Sequence, residues 1–259
     1  MICGMSDFLE DIKNQINESE LIVVGLGEEW NVSPKVIQSE VFKRISADLN
    51  THPEYGWLWP YFYYKLTDDT LRSAYENLFR LLDGKNYFVV STATNRSFTP
   101  YVREGRLVMP CGSEAFLCDD SLKESVLEEA FIKSLDAYLA GDIPLKDICF
   151  VKDKAGEIVP FNNVYTVCYK EEGYLPQWTK YMSWLQGTMN RKTCLLELGV
   201  GLYFPSVIRF PFEKMTYFNN KAFCFRVHKS LYQLAEEMAS KSKSIPVHSV
   251  ELFAGNSQE

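Results

Sequence analysis

Histidine and cysteine set the first limit on what chemistry this chain can do. Its 259 residues hold three histidines, His52, His228 and His248, and seven cysteines. A histidine-based proton transfer therefore has only these candidates. The cysteines are Cys3, Cys111, Cys118, Cys149, Cys168, Cys194 and Cys224, and no two form a C-x-x-C pair. Structural zinc is usually held by two closely spaced ligand pairs, so no zinc is expected. The other candidate chemistry belongs to the backbone. An apolar run at 21–24 leads into Gly25-Leu26-Gly27, and a second run at 193–198 leads into Gly199-Val200-Gly201. Glycine after a strand permits positive φ and lets a phosphate approach backbone N–H groups. If the two strands are parallel, their ends share one sheet edge and would form two walls of a nucleotide crevice. The alternative is a pair of ordinary strand-end turns. The first pattern lacks the third glycine of a full dinucleotide fingerprint, with Glu28, Glu29 and Trp30 in its place.

These residues need elements to hold them. An amphipathic helix is expected at 6–19, with Ser6 as its cap and Phe8, Leu9, Ile12 and Ile16 on one face. Continuous apolar runs predict strands at 21–24, 86–92, 193–198 and 222–227, each buried on both faces as in a parallel sheet. A further short strand is expected at 106–109. Helices are expected at 71–82, 121–140, 178–186 and 231–238, and a last short segment at 249–253. The aromatic-rich stretch 30–80, with Trp30, Trp57 and Trp59, reads as helical core packing. Turn residues in 142–175 suit short antiparallel strands. The resulting fold class is α/β, a Rossmann-like parallel sheet flanked by helices with a smaller inserted lobe. The core would comprise 1–29, 81–115 and 186–259. Residues 30–80 form a helical region beside the first glycine loop, and 116–185 the small lobe.

Composition narrows the partners. A net charge of −7 argues against a general nucleic-acid binder. No run approaches the roughly 18 apolar residues that would span a bilayer. The opening MICGMSDFLEDIKNQ has no basic or apolar leader pattern, and unpaired thiols suit a reducing compartment, so a cytoplasmic location is expected.

The order of these motifs resembles the sirtuin family, particularly bacterial sirtuin-like proteins, over nearly the whole chain. The residues carrying the resemblance are Leu21 to Gly27, the stretch Asn86 to Phe98, and Leu196-Glu197-Leu198-Gly199-Val200-Gly201 with Pro205 and Ile208-Arg209-Phe210-Pro211-Phe212. The resemblance implies a Rossmann-like NAD-binding domain, NAD or ADP-ribose as cofactor, and an acyl-lysine peptide or protein as partner. It places Gly25, Gly27, Thr92, Asn95, Gly199, Val200 and Gly201 at the cofactor.

The departures fall on the chemistry. Ala93 stands where the family has an Asn, and Asn95 where it has an Asp. Cys111-Gly112 is the best match to the family's His-Gly, so Cys111 and Asn95 would be the replacements at catalytic positions. A thiol is a poor base near neutral pH unless its pKa is depressed. Cys118 matches one zinc-ligand position, whereas Phe161-Asn162-Asn163 stands where a later pair would be. Glu28 and Glu29 would put two negative charges beside a pyrophosphate. Three readings stay open: a sirtuin-like scaffold with its crevice kept and ordinary deacylase chemistry impaired or lost; an active deacylase or ADP-ribosyltransferase using altered residues; and a non-enzymatic interaction module.

Overall fold

The structure is a computed structural model that describes residues 2–118 and 128–255. Six parallel strands form its main sheet: β1 (Leu21–Leu26), β2 (Tyr87–Ser91), β3 (Leu107–Val108), β6 (Thr193–Leu198), β7 (Ala222–Val227) and β8 (Ser242–Ile245). Their spatial order is β3-β2-β1-β6-β7-β8. The chain therefore winds outward one way from β1 and the other way from β6. In such sheets the strand order reverses at one point, and ligands bind at the carboxyl ends there. Here that point lies between β1 and β6, which pair from Leu21↔Thr193 to Leu26↔Leu198.

The continuous apolar runs are explained by two apolar layers. Ile22, Val24 and Leu26 face one core with Leu196, Leu198 and Val227. It is covered by α1 (Ile2–Glu18), α5 (Asp69–Leu81) and α9 (Ser249–Ala254). Val23, Phe88, Val90, Leu195 and Cys224 face the other, under α7 (Leu175–Gln186) and α8 (Arg209–Phe218). The helix read at 71–82 begins earlier because Asp68 caps it, its Oδ1 accepting from Leu71 N at 3.0 Å. Ser6 lies inside α1 rather than at its start, because the helix already begins at Ile2.

A third apolar cluster builds the lobe. It joins α3 (Glu40–Thr51) and α4 (Trp59–Lys65) to α6 (Glu129–Ala140) through Ile45, Leu49, Trp57, Phe62, Phe131, Tyr138 and Phe161. Arg44 Nη2 donates to the carbonyls of Tyr138 and Leu139, both at 2.9 Å. The two-stranded antiparallel pair β4 (Gly112–Leu117) and β5 (Phe161–Asn163) lies in this part of the chain. Gly141, at φ +89°, ends α6 where expected, and residues 121–127 of the helix expected at 121–140 lie outside the described residues. In helix α7, within 116–185, Trp178, Tyr181 and Trp184 pack on the sheet. The helix expected at 231–238 does not form. Arg209 and Arg226 instead take the carbonyls of Leu231 and Gln233, at 3.0 and 2.6 Å. Strands β4 and β8 were not anticipated, because their polar residues give no apolar run.

Candidate functional site

The two glycine endings meet at the switch point, and they are zipped together. Gly27 N donates to Leu198 O at 2.8 Å, and Glu29 N to Gly199 O at 3.2 Å. A Cβ on Gly27 would lie 2.2 Å from Gly199 O and from Val200 Cα. Gly27 is therefore required for loop-on-loop contact rather than for an open phosphate cradle. Gly25 has a similar task, since a Cβ there would meet Ile208 Cγ2 of the chain entering α8 at 2.5 Å. Gly199 adopts φ +64° and is buried against Glu29 and Ser249.

A cavity of about 390 Å³ opens beside this contact. It is lined by Glu28, Glu29, Gly201, Leu202, Tyr203, His228 and Leu231. Of the seven residues expected at a cofactor, only Gly201 lines it. Gly25, Gly27, Thr92, Asn95, Gly199 and Val200 are buried in the packing beneath.

Both glutamates are held by backbone amides. Glu28 Oε2 accepts from Gly201 N at 2.6 Å. Glu29 Oε2 accepts from Ser249 N at 2.7 Å and Ser249 Oγ at 2.8 Å, and its Oε1 from Lys229 N at 3.1 Å. His228 Nδ1 lies 3.5 Å from Glu29 Oε1, but accepts from Ser230 N at 3.0 Å and Leu231 N at 2.9 Å. Those two amides fix Nδ1 as an acceptor, which assigns the neutral ring with its proton on Nε2. His248 is buried, and its Nδ1 has no hydrogen-bond partner among the described residues. Burial lowers the pKa of both imidazoles, with Glu29 opposing.

Behind the cavity lies a buried ion cluster. Glu197 on β6, only 1% exposed, receives Arg226 Nη2 at 2.9 Å and sits 3.1 Å from Arg209 Nη2. Arg226 also binds Glu213 at 2.8 Å. Arg209 Nη2 donates to Val200 O at 2.7 Å and to Leu231 O at 3.0 Å, so one guanidinium ties both loops beside the cavity. Burial raises the Glu197 pKa, with the arginines pulling it back.

The expected catalytic residues do not present reactive groups. Asn95 is fully buried. Its Nδ2 donates to Asn31 O at 2.8 Å, Tyr63 O at 3.0 Å and Thr67 Oγ1 at 3.0 Å, and its Oδ1 accepts from Ser97 N at 2.9 Å. That side chain shapes the loop after β2, with its Nδ2 donors spent inside the protein. Asn31 completes the arrangement by accepting from Thr94 N at 2.8 Å and Asn95 N at 3.1 Å. Ala93 joins the apolar core. Cys111 is 1% exposed, and burial, reinforced by Glu28, pushes its thiol well above the ordinary range. A base or nucleophile would need the opposite shift. Gly112 after it has φ +70°, and a Cβ there would lie 2.2 Å from Asn162 O. Strand approach accounts for that glycine.

Sequence reasoning missed the tyrosines around Glu28. Tyr63 and Tyr165 both have pKa values raised by burial, with Glu28 and Tyr203 adding to the shift. They come from three separate segments, so no spacing could have revealed them. Trp30 is core, 5.4 Å from Tyr75 between ring centres, and Trp57 packs in the lobe. A second cleft of about 490 Å³ lies between the β3 edge and β4, lined among others by Arg96, Leu107, Met109, Ser113, Phe116 and Tyr169.

The groups implied by the resemblance can be tested against these donors. No group of three or more His, Cys, Asp or Glu among the described residues is placed to hold a metal ion. The Cys118 Sγ lies 3.2 Å from both Asn162 Oδ1 and Cys168 O, within reach of its single S–H donor. These residues do not fit a four-ligand zinc site. The amides of Gly201 and Ser249 are both engaged by carboxylates. A pyrophosphate entering this crevice would have to displace the Glu28 carboxylate from Gly201 N. No helix among the described residues is long and apolar enough to cross a membrane.

No protein-family model matches the chain. A protein of Staphylococcus aureus (strain Mu50 / ATCC 700699) described as a protein ADP-ribosyltransferase is 19% identical over 269 aligned positions, spanning 90% of this chain and 82% of that protein. A solved structure of a Sir2 homologue, a point mutant in complex with ADP-ribose, superposes with a TM-score of 0.50 at 11% identity. That alignment covers 95% of this chain and 93% of the other. With the six-stranded parallel sheet and its flanking helices, these likenesses show a sirtuin-like, Rossmann-like α/β fold.

Proposed function

We propose that the chain keeps a crevice for NAD or ADP-ribose at the β1/β6 switch point and has lost ordinary NAD-dependent deacylase chemistry. The observation that carries this reading is the state of Cys111. The residue standing at the family's proton-accepting position is a buried thiol held in its neutral form. Asn95 supports the same conclusion, because its amide is spent on Asn31, Tyr63 and Thr67. The location of the cavity at the strand-order reversal supports a nucleotide-type ligand. So do the relative described as an ADP-ribosyltransferase and the ADP-ribose complex of the Sir2 homologue. An acyl-lysine peptide or protein partner would have the cleft between β3 and β4 available. A cytoplasmic setting agrees with the free thiols.

The test is to incubate the purified protein with NAD and an acetyl-lysine peptide while titrating ADP-ribose calorimetrically. Heat of binding without deacetylation is the expected result. NAD-dependent deacetylation that Cys111→Ala abolishes would falsify the loss of chemistry. Absence of heat with both NAD and ADP-ribose would favour a purely interacting module instead.

A further inference from the structure

We propose that Glu28 is a built-in anion: its carboxylate fills the place on the Gly199–Gly201 loop that a ligand's phosphate would take, so the crevice must release Glu28 before it admits a pyrophosphate. The inference rests on the reading of this crevice as a nucleotide-type site and names what controls entry to it.

Three observations carry it. The first is contact. Glu28 Oε2 sits 2.6 Å from Gly201 N, a short charge-assisted bond of the kind a phosphate oxygen makes to a strand-end amide. A Cβ on Gly201 would lie 2.9 Å from the same oxygen, so the loop closes on the carboxylate without room between them. The second is charge. The residues lining the cavity include Glu28 and Glu29 and no Lys or Arg. A pyrophosphate entering beside Glu28 would meet repulsion with no cation to offset it. The third is anchorage. The loop that Glu28 grips is fixed from behind, because Arg209 holds Val200 O at 2.7 Å. The amide therefore stays in place when the carboxylate leaves, and another anion can take it. Glu29 does not share this role. It accepts three hydrogen bonds from Ser249 and Lys229 and is bound to the loop after β7 and the start of α9.

The experiment uses the full chain, as wild type, Glu28→Ala, Glu28→Gln and Glu20→Gln. Glu20 precedes β1 at the opposite sheet edge, where it pairs with Arg191, so its variant removes one negative charge away from the crevice. Each protein is titrated with inorganic pyrophosphate, ADP-ribose and adenosine, following heat and Tm. Pyrophosphate should bind Glu28→Ala on the order of 100-fold tighter than wild type and raise its Tm, but not that of wild type or Glu20→Gln. Glu28→Gln, which keeps the shape and loses the charge, should fall between them and covers the case of an Ala variant that folds poorly. Adenosine should not distinguish the proteins. Equal pyrophosphate binding by wild type and the Glu28 variants overturns the proposal, as does an equal gain in Glu20→Gln or no anion binding in either Glu28 variant. Pyrophosphate binding gained without ADP-ribose binding keeps the built-in anion and removes ADP-ribose as the ligand. ADP-ribose binding indifferent to Glu28 keeps the proposed function and removes the built-in anion.

Discussion

Two acidic sites lie within one loop of each other and are neutralised in opposite ways. Glu197, inside β6, faces two arginines, and each arginine has further partners in the core. Glu28 and Glu29, past the end of β1, face backbone amides. The first arrangement is locked, because removing either charge leaves its partner buried and uncompensated. At Glu28 the second is exchangeable, because the amide accepts any anion and loses no formal charge when one leaves. The difference separates a structural carboxylate from one occupying a ligand's position.

That contrast can be broken at its strongest point first. Arg226→Met leaves Glu197 buried with one weaker partner and should cost about 3–5 kcal/mol in urea unfolding. A cost no larger than that of a Glu29 variant would erase the distinction. Gly27→Ala comes next. Its Cβ would press on Gly199 O and Val200 Cα, both at 2.2 Å, and the two loops must part. The expected loss is about 1–3 kcal/mol, read by the same unfolding curves. Glu29→Gln keeps an acceptor for the Ser249 amide and removes the charge, so about 1 kcal/mol is expected. A loss equal to that of Arg226→Met would mean that Glu29 is as locked as Glu197. The smallest effect is with pH. His228 and His248 have folded pKa values below their ordinary 6.5. Between the folded and unfolded values the unfolded chain binds more protons, so stability falls as pH drops below 6.5. Replacing either histidine with Gln should flatten that slope in a Tm-versus-pH series.

Much of the fold was legible because burial on both faces writes itself as an unbroken apolar run. Strands β1, β6 and β7 follow this rule, and the 193–198 and 222–227 expectations match them end to end. Strand β8 reads Ser-Lys-Ser-Ile at the sheet edge, three of its residues only partly buried, and gives no such run. The stretch 231–238 has Leu231, Leu234 and Met238 at helical spacing, yet two distant arginines claim its carbonyls. The site was less legible than the fold. Glycine spacing located the switch point correctly, but not the reason for Gly25 and Gly27, which lies in the backbone or side chain pressed against each. The amide grip on Glu28 joins residues 173 apart in sequence, and no local pattern could show it.

The contact between Gly27 and the Gly199–Val200 backbone has an evolutionary consequence. Any side chain at Gly27 would force the sheet's two central loops apart, whether or not a nucleotide ever binds. Drift at that position is barred by packing alone. A lineage could abandon its ancestral catalysis residue by residue and still carry the glycine signature of its forebears, as a scar of architecture rather than a certificate of activity.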